Sequence, residues 1–417
     1  MLILNLNLKF TNVDGGVCAP KNFLASGVHC GIRKNRVKND LAMIYSKTDC
    51  SAAAVYTRNL VKGAPLTVTK NNLQLSNGHA QAVICNSGNA NTCNANGIEI
   101  ANQMCELVAK NLNIKSENVI VASTGVIGQP LNIQPIEAGI PALVKKLAHD
   151  QKSSDEACEG IMTTDTRKKE VAIEFEIDGK VCRMGAISKG SGMIHPNMAT
   201  MLVFVTTDAA IKPEFLQSAL SSVVIDTFNM MSVDGDTSTN DMLSILANAS
   251  AGNPEINSEG ENFEIFKAAL NHVCSELCRK MAADGEGATK LLECKVTGAR
   301  EKSVARTVAK SVICSNLVKA AMFGSDANWG RVLCAIGYSG ADVDVAKIDV
   351  EFASVGGKIP VCRNGAGIDF SEELAKEILL KPEINININL NDGEFDATAW
   401  GCDLTYDYVK INGDYRT

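Results

Sequence analysis

Lys189-Gly-Ser-Gly-Met-Ile-His-Pro-Asn-Met-Ala-Thr200 joins two strand-like segments near the middle of the chain, Val181 to Ser188 and Met201 to Val205. Its two glycines allow backbone angles that other residues avoid, and its proline fixes one dihedral angle and removes a hydrogen-bond donor. A loop constrained in this way, ending in a hydroxyl at the start of an apolar strand, favours the presentation of Thr200 for chemistry. The alternative from composition alone is an ordinary Gly-Pro connection between two core strands.

Thr200 is the candidate nucleophile of this chain. A threonine hydroxyl needs a neighbouring base, and a free α-amine on the same residue can be that base, with a reference pKa of about 7.7–8.0. The amine becomes free only when the bond between Ala199 and Thr200 is broken. The hydroxyl can attack the carbonyl of the small residue Ala199, which gives an ester that water hydrolyses. If Thr200 is the nucleophile, the stretch undergoes self-cleavage between Ala199 and Thr200, whereas an ordinary connection between two strands leaves the chain whole.

The run from Lys189 to Leu202 closely resembles the signature of the ornithine acetyltransferase family, also called glutamate N-acetyltransferase. The resemblance extends from Gly15-Gly16-Val17 to Tyr415-Arg416-Thr417, and several separate motifs agree in order and spacing. It implies an α/β fold, a layered α-β-β-α sandwich with a smaller C-terminal α/β region. It also implies an alpha fragment of residues 1–199, which carries the oxyanion hole, and a beta fragment of residues 200–417, which begins with the nucleophile. Two copies of each fragment are expected in the particle, a heterotetramer.

The resemblance places the oxyanion hole at Thr124 and Gly125, directly after the strand-like segment Val119–Ala122. The hydroxyl of Thr124 and the N–H of Gly125 would hold the negative oxygen that develops during acyl transfer. Without the family pattern, a bare turn before a helix would explain these two residues equally well. The nearby segment Asn86 to Asn91 also matches the family, but a strand end and helix cap would account for it as well.

The family pattern implies substrate contacts in several motifs, on Thr163, Lys189, Thr200, Glu286, Asn412 and Thr417. Lys189 can pair with a substrate carboxylate, and Glu286 can pair with a substrate ammonium group. Taken alone, Thr163 would be a turn residue and Glu286 a solvated acid in a helix-terminating turn. The C-terminal segment would then be a frayed end. The segment Ser232 to Asp241 fails the calcium-loop pattern and is expected to form a wall of the active-site region, with no role assigned to single residues.

The implied reaction is a ping-pong transfer of acetyl from N2-acetyl-L-ornithine to L-glutamate, which recycles the acetyl group in arginine biosynthesis. No cofactor and no metal are implied. Whether acetyl-CoA also donates acetyl stays open, because no motif decides it. Two alternatives stay open as well: an amidohydrolase or aminopeptidase of the same self-cleaving architecture, and a non-catalytic amino-acid-binding protein.

Composition argues against two classes of partner, whereas the small-molecule substrates are implied by the family resemblance. A net charge of −7 argues against a nucleic-acid surface, and no apolar run is long enough to span a bilayer. The N-terminal ten residues lack a basic region before the apolar ones, which predicts a strand rather than a signal peptide and hence a cytoplasmic location. The 15 cysteines are expected to be small buried residues in a reducing compartment. His272, Cys274 and Cys278 lack a second ligand pair at zinc spacing, so no metal site is expected.

Residue patterns also predict individual elements. They favour two separate strands at Leu41–Tyr45 and Ala52–Tyr56, and a single helix over Lys302–Lys319. A further helix is expected to begin at Ser153-Ser154-Asp155, where the polar side chains suit a cap.

Overall fold

The computed structural model describes residues 8–33, 37–195 and 201–413. Two β-sheets with packed helices make up this part of the chain, so the predicted α/β class is confirmed. The strands are β1 (Thr11–Asn12), β2 (Phe23–Val28), β3 (Leu41–Tyr56), β4 (His79–Asn86), β5 (Val119–Ser123), β6 (Lys169–Ile177), β7 (Lys180–Lys189), β8 (Leu202–Thr207), β9 (Met231–Ser232), β10 (Met242–Ala247), β11 (Leu291–Ala299), β12 (Asp349–Ser354), β13 (Gly357–Arg363), β14 (Ala366–Gly367), β15 (Glu383–Asn389) and β16 (Phe395–Cys402).

The helices surround the sheets and join their strands. None of the described helices is both long enough and apolar enough to cross a membrane. They are α1 (Ala64–Leu75), α2 (Gly97–Leu112), α3 (Gln134–Lys146), α4 (Gln151–Ile161), α5 (Pro213–Asp226), α6 (Glu261–Ala283), α7 (Lys302–Cys314), α8 (Asn316–Phe323), α9 (Trp329–Gly337), α10 (Glu372–Leu379) and α11 (Tyr406–Asn412).

The first sheet has the strand order β1-β6-β7-β8-β10-β3-β4-β5, with β2 paired to β3. Both faces of β3 are covered: Leu41 and Met43 pack with α2 and α3, whereas Ala42 and Ile44 pack with α4. In the middle of the sheet, β7 is antiparallel to β8, and β8 is parallel to β10. The strands that precede and follow residues 196–200 therefore lie side by side.

The second sheet has the order β14-β13-β12-β15-β11-β16-β9 and forms the smaller C-terminal α/β region. Strand β15 alternates buried isoleucines with half-buried asparagines, because only one of its faces is covered. Helix α7 packs on β11 and β16, and α6 packs against strands of both sheets. On α6, Phe266 is fully buried and meets the ring of Phe175 edge-on, with the centroids 6.5 Å apart. One apolar core thus connects the two sheets.

Three predicted element boundaries are wrong. Strand β3 is continuous, because its polar middle lies at an irregularity in the pairing with β4 and still pairs with neighbouring strands. Helix α4 begins earlier than expected, since the carboxylate of Asp150 accepts the N–H of Ser153 and caps it. The single helix expected over Lys302–Lys319 is divided at Ser315, whose hydroxyl caps α8. The strand expected in the first ten residues lies largely outside the described residues.

Candidate active site

A cavity of about 310 Å³ is lined by most of the site residues that were predicted from the sequence. Its lining includes Met201, the residue that follows Thr200 in the chain. Ala199, Thr200 and Thr417 lie outside the described residues. The predicted site residues that line the cavity are Thr124, Gly125, Thr163, Lys189, Glu286 and Asn412. Their roles stay predictions, but the structure brings these six side chains and backbone groups to one place.

Lys189 and Thr124 form one side of the cavity. Lys189 ends β7, and Thr124 directly follows β5, so two strands of the first sheet bring them together. The Nζ atom of Lys189 donates a hydrogen bond of 3.1 Å to Oγ1 of Thr124. Because an ammonium group only donates, the hydroxyl proton of Thr124 can still be donated to another group.

Gly125 has a backbone conformation that favours glycine, with φ at +126°. A Cβ atom at this position would lie 2.7 Å from the carbonyl carbon of Gly88. The backbone at Gly88 is itself held in place by Asn86, whose Oδ1 atom accepts the N–H groups of Gly88 and Asn89 at 3.2 and 3.1 Å. The asparagine-rich segment therefore supports the turn that contains Gly125.

Glu286 and Asn412 form another part of the wall. The Nδ2 atom of Asn412, at the end of α11, donates to Oε2 of Glu286 at 2.8 Å. The backbone N–H of Glu286 donates to the carbonyl of Ser191 at 3.0 Å, which ties it to the glycine loop. A Cβ atom on Gly192 would overlap the carboxylate of Glu286. Glycine at position 192 thus leaves the space that this carboxylate occupies.

Asp165 holds two cavity segments in position, although it does not itself line the cavity in the described chain. Its Oδ2 atom accepts the N–H of Thr163 at 2.9 Å, and its Oδ1 atom accepts the N–H of Gly190 at 2.7 Å. Burial alone would raise the pKa of Asp165. The charges of Lys169 and Lys189, together with the hydrogen bonds from Lys169 and from the N–H of Gly190, outweigh burial and lower the pKa to about 2. Asp165 is thus an anion at neutral pH.

Residues 238–241 line the cavity. The sequence predicted a wall in this segment without a role for any single residue, and the hydrogen bonds of the segment show what holds it in place. The Nδ2 atom of Asn240 donates to the carbonyls of Ala90 and Ser123 at 2.6 and 2.9 Å. Burial raises the pKa of Asp241 well above its usual range, and its Oδ2 atom has no hydrogen-bond partner within residues 8–33, 37–195 and 201–413. The only sequence signal for these residues was the match of the whole segment to the family.

His195 is the last described residue before the interval 196–200. It is half-buried, and its Nδ1 atom lies 3.1 Å from Oγ of Ser232. Burial and then the nearby charge of Lys310 lower the pKa of His195 to about 4, against the opposing effect of Asp234. Among the described residues, no three His, Cys, Asp or Glu side chains come together as metal ligands would.

Comparison with known proteins identifies the family. The ArgJ family model matches residues 24–417. This chain belongs to the ArgJ family. The resemblance that residues 189–202 indicated is therefore confirmed.

The relatives cover nearly the whole chain. Arginine biosynthesis bifunctional protein ArgJ 1 from Clostridium acetobutylicum is 52% identical over 396 residues, which are 95% of this chain and 96% of the relative. The ArgJ protein of Caldanaerobacter subterraneus is 49% identical over 406 residues, 97% of this chain and 99% of its own. A solved ArgJ structure from Bacillus halodurans is 47% identical and has a TM-score of 0.48, covering 50% of this chain and 97% of that one.

Proposed function

We propose that this chain transfers the acetyl group of N2-acetyl-L-ornithine to L-glutamate and so recycles acetyl groups in arginine biosynthesis. Membership of the ArgJ family, whose relatives are named arginine biosynthesis bifunctional proteins, supports this reaction. The observation that carries the proposal is the meeting of six predicted site residues around one cavity, beside the residue that follows Thr200. The activity needs no cofactor and no metal, because the acetyl group passes through the protein's own hydroxyl.

The reaction begins with processing of the chain. The hydroxyl oxygen of Thr200 attacks the carbonyl carbon of Ala199, the amide becomes an ester, and water cleaves the ester. Residues 1–199 then end in a carboxylate, and residues 200–417 begin with a free amine. The pairing of β7 with β8, and of β3 with β10, supports two fragments that stay associated after the cut.

Acetyl transfer then proceeds in two halves. The hydroxyl oxygen of Thr200 attacks the acetyl carbonyl while its own amine takes the proton. The C–N bond of acetylornithine breaks, and the departing ornithine amine receives that proton. The amine of glutamate attacks the acetyl-enzyme in the reverse sequence and leaves as N-acetylglutamate. In both halves, Thr124 and Gly125 donate hydrogen bonds to the negative oxygen of the tetrahedral intermediate.

The charges of the cavity fit amino-acid substrates. Lys189 supplies a cation for a carboxylate, and Glu286 supplies an anion for an ammonium group. Asn412 holds the carboxylate of Glu286 through a hydrogen bond of 2.8 Å, which fixes the direction of that charge. Thr163 and the C-terminal Thr417 complete the proposed substrate contacts. The active particle contains two alpha and two beta fragments and works in the cytoplasm.

A second acetyl donor follows from the relatives' names. The word bifunctional in those names favours a second reaction, in which acetyl-CoA acetylates glutamate through the same threonine. Acetyl-CoA would then be a co-substrate rather than a bound cofactor.

The decisive experiment follows the products. Purified protein given N2-acetyl-L-ornithine and L-glutamate should release ornithine and N-acetylglutamate in equal amounts, measured by mass spectrometry. Free acetate without N-acetylglutamate would support an amidohydrolase or aminopeptidase instead. An uncleaved chain that binds amino acids but never carries an acetyl adduct would support a binding protein. A parallel reaction with acetyl-CoA in place of acetylornithine tests the second donor.

A further inference from the structure

A buried group of three charges lies behind the cavity, at the start of β6 where Lys169 pairs with Ser188 of β7. The Nζ atom of Lys169 is 2.6 Å from Oδ1 of Asp165 and 2.5 Å from Oδ2 of Asp284. The side chains of Lys169, Asp165 and Asp284 are 1%, 0% and 4% exposed, so these contacts are shielded from bulk water. We call this group the buried triad.

The two carboxylates also bind backbone groups of different segments. Asp165 accepts the N–H of Thr163 and the N–H of Gly190, the residue that follows Lys189. Asp284 accepts the N–H groups of Thr166 and Arg167, at 3.0 and 3.3 Å, in the same turn as Thr163. The triad therefore joins the turn that contains Thr163 to the loop that follows Lys189.

The third cavity segment is linked by the backbone. The carbonyl of Asp284 accepts the hydroxyl of Ser191 at 2.6 Å, and the carbonyl of Ser191 accepts the N–H of Glu286 at 3.0 Å. Thr163, Lys189 and Glu286 are thus each a short chain of hydrogen bonds away from one buried lysine. These are three of the residues proposed to contact substrate.

Stability alone is a weak explanation for such a group. Buried ion pairs lose much of their Coulomb attraction to the cost of removing charges from water, and apolar replacements are often as stable. A fixed buried carboxylate does, however, hold backbone N–H groups in a defined direction, since each oxygen accepts two donors. The hydrogen-bond distances within the triad, and from its carboxylates to the backbone N–H groups, are those expected for carboxylates that hold the backbone in this way.

We infer that Asp165, fixed by Lys169 and Asp284, is a positioning residue that sets Thr163 and Lys189 at one spacing for the substrate. It does not line the cavity in the described residues, so it acts through the two segments that it binds. The inference rests on the proposed function, because the substrate contacts of Thr163 and Lys189 belong to that proposal.

The test compares Asp165→Asn with Asp284→Asn. Each variant leaves Lys169 with one carboxylate, so the remaining buried pair is neutral in both. At position 165, the amide group faces three donors, those of Lys169, Thr163 and Gly190, and can accept from fewer of them than the carboxylate. We expect Asp165→Asn to raise KM for acetylornithine on the order of ten-fold, because misplaced contacts weaken binding. Asp284→Asn should raise it less than roughly three-fold, since its side chain binds residues farther from the cavity.

The split between KM and kcat separates positioning from folding. A purely structural role would reduce the folded fraction, which lowers the apparent kcat and leaves KM unchanged. An unchanged KM in Asp165→Asn, or equal changes in both variants, overturns the inference. If the wild type transfers no acetyl group, the proposed function fails instead.

Hydrogen exchange on the wild-type protein provides a second test, which needs neither a variant nor an activity assay. Peptides that contain the amides of Thr163 and Gly190 should exchange as slowly as peptides from the buried strands. Fast exchange at either amide in folded protein would show that Asp165 does not hold it, and would also overturn the inference.

Discussion

The ammonium group of Lys189 donates its hydrogen bond to the hydroxyl oxygen of Thr124, across 3.1 Å. This direction matters because it leaves the hydroxyl proton of Thr124 for another acceptor. The positive charge beside the hydroxyl also makes its proton a better donor to a developing negative oxygen. The geometry of the pair is compatible with the oxyanion role that is proposed for Thr124.

Thr124→Ala should lower kcat by about 10²–10³, which is typical for the loss of one oxyanion donor. KM for acetylornithine should change little, because the hydrogen bond is stronger in the transition state than in the substrate complex. Steady-state assays measure both constants, and Thr124→Ser, which keeps the hydroxyl, is the control. A near-normal kcat in Thr124→Ala would remove this hydroxyl from the oxyanion role.

Thr200→Ala should remain a single chain without acetyl-transfer activity, because neither the hydroxyl that cleaves nor the hydroxyl that is acetylated is present. Denaturing gels and intact mass spectrometry would show one species near 44.4 kDa, the mass of the whole chain. Thr200→Ser should still cleave, since serine keeps the hydroxyl. Active protein with the bond between residues 199 and 200 intact would contradict the proposed nucleophile.

Gly192→Ala should weaken substrate binding by displacing the carboxylate of Glu286, which an added Cβ would overlap. We expect KM for acetylornithine to rise roughly ten-fold, as for a misplaced substrate contact. The matched control is Gly337→Ala, at the exposed end of α9, where the added atom meets nothing within 4 Å. Equal KM values in the two variants would contradict the expectation that an added Cβ at position 192 weakens substrate binding.

Much of the candidate site was predictable because its residues stand in ordered motifs. The loop after Lys189, the Thr124-Gly125 pair and Glu286 each follow or precede an apolar segment at a recognisable place. The buried triad was not predictable, since Asp165 and Lys169 look like polar residues around an ordinary turn. Their importance depends on Asp284, which is 115 residues from Lys169 in sequence and meets it only in the folded chain.

The errors in the fold have local causes. Polar residues between Tyr45 and Ala52 resemble a strand break, yet they are tolerated at the irregular, partly exposed section of β3. In α7 and α8, the helical spacing of apolar residues continues across Ser315, so periodicity alone does not show that the first helix stops there. Caps and bulges depend on hydrogen bonds that a residue pattern does not specify.

Protonation of His195 should destabilise the fold in acid. Its pKa is about 4 in the folded chain, below the ordinary value of 6.5. As pH falls from about 6.5 to about 4, the unfolded chain therefore binds the proton first, and stability declines with a limiting slope of ~1.4 kcal/mol per pH unit. Urea unfolding across this range should show a smaller decline for His195→Gln than for the wild type. Parallel declines would mean that His195 is not shielded from protons.

The two fragments should remain together after cleavage, because they share the first sheet. Strand β7 of the alpha fragment pairs with β8 of the beta fragment, and β3 pairs with β10. All six residues of β8 are buried, and the first four are apolar, so separation would expose these four side chains to water. Size-exclusion chromatography under native conditions should give one peak that contains both fragments, and denaturant should resolve them. The uncleaved Thr200→Ala protein is the control and should elute at the same volume. Separate native peaks would show that this shared sheet does not hold the cleaved chain together.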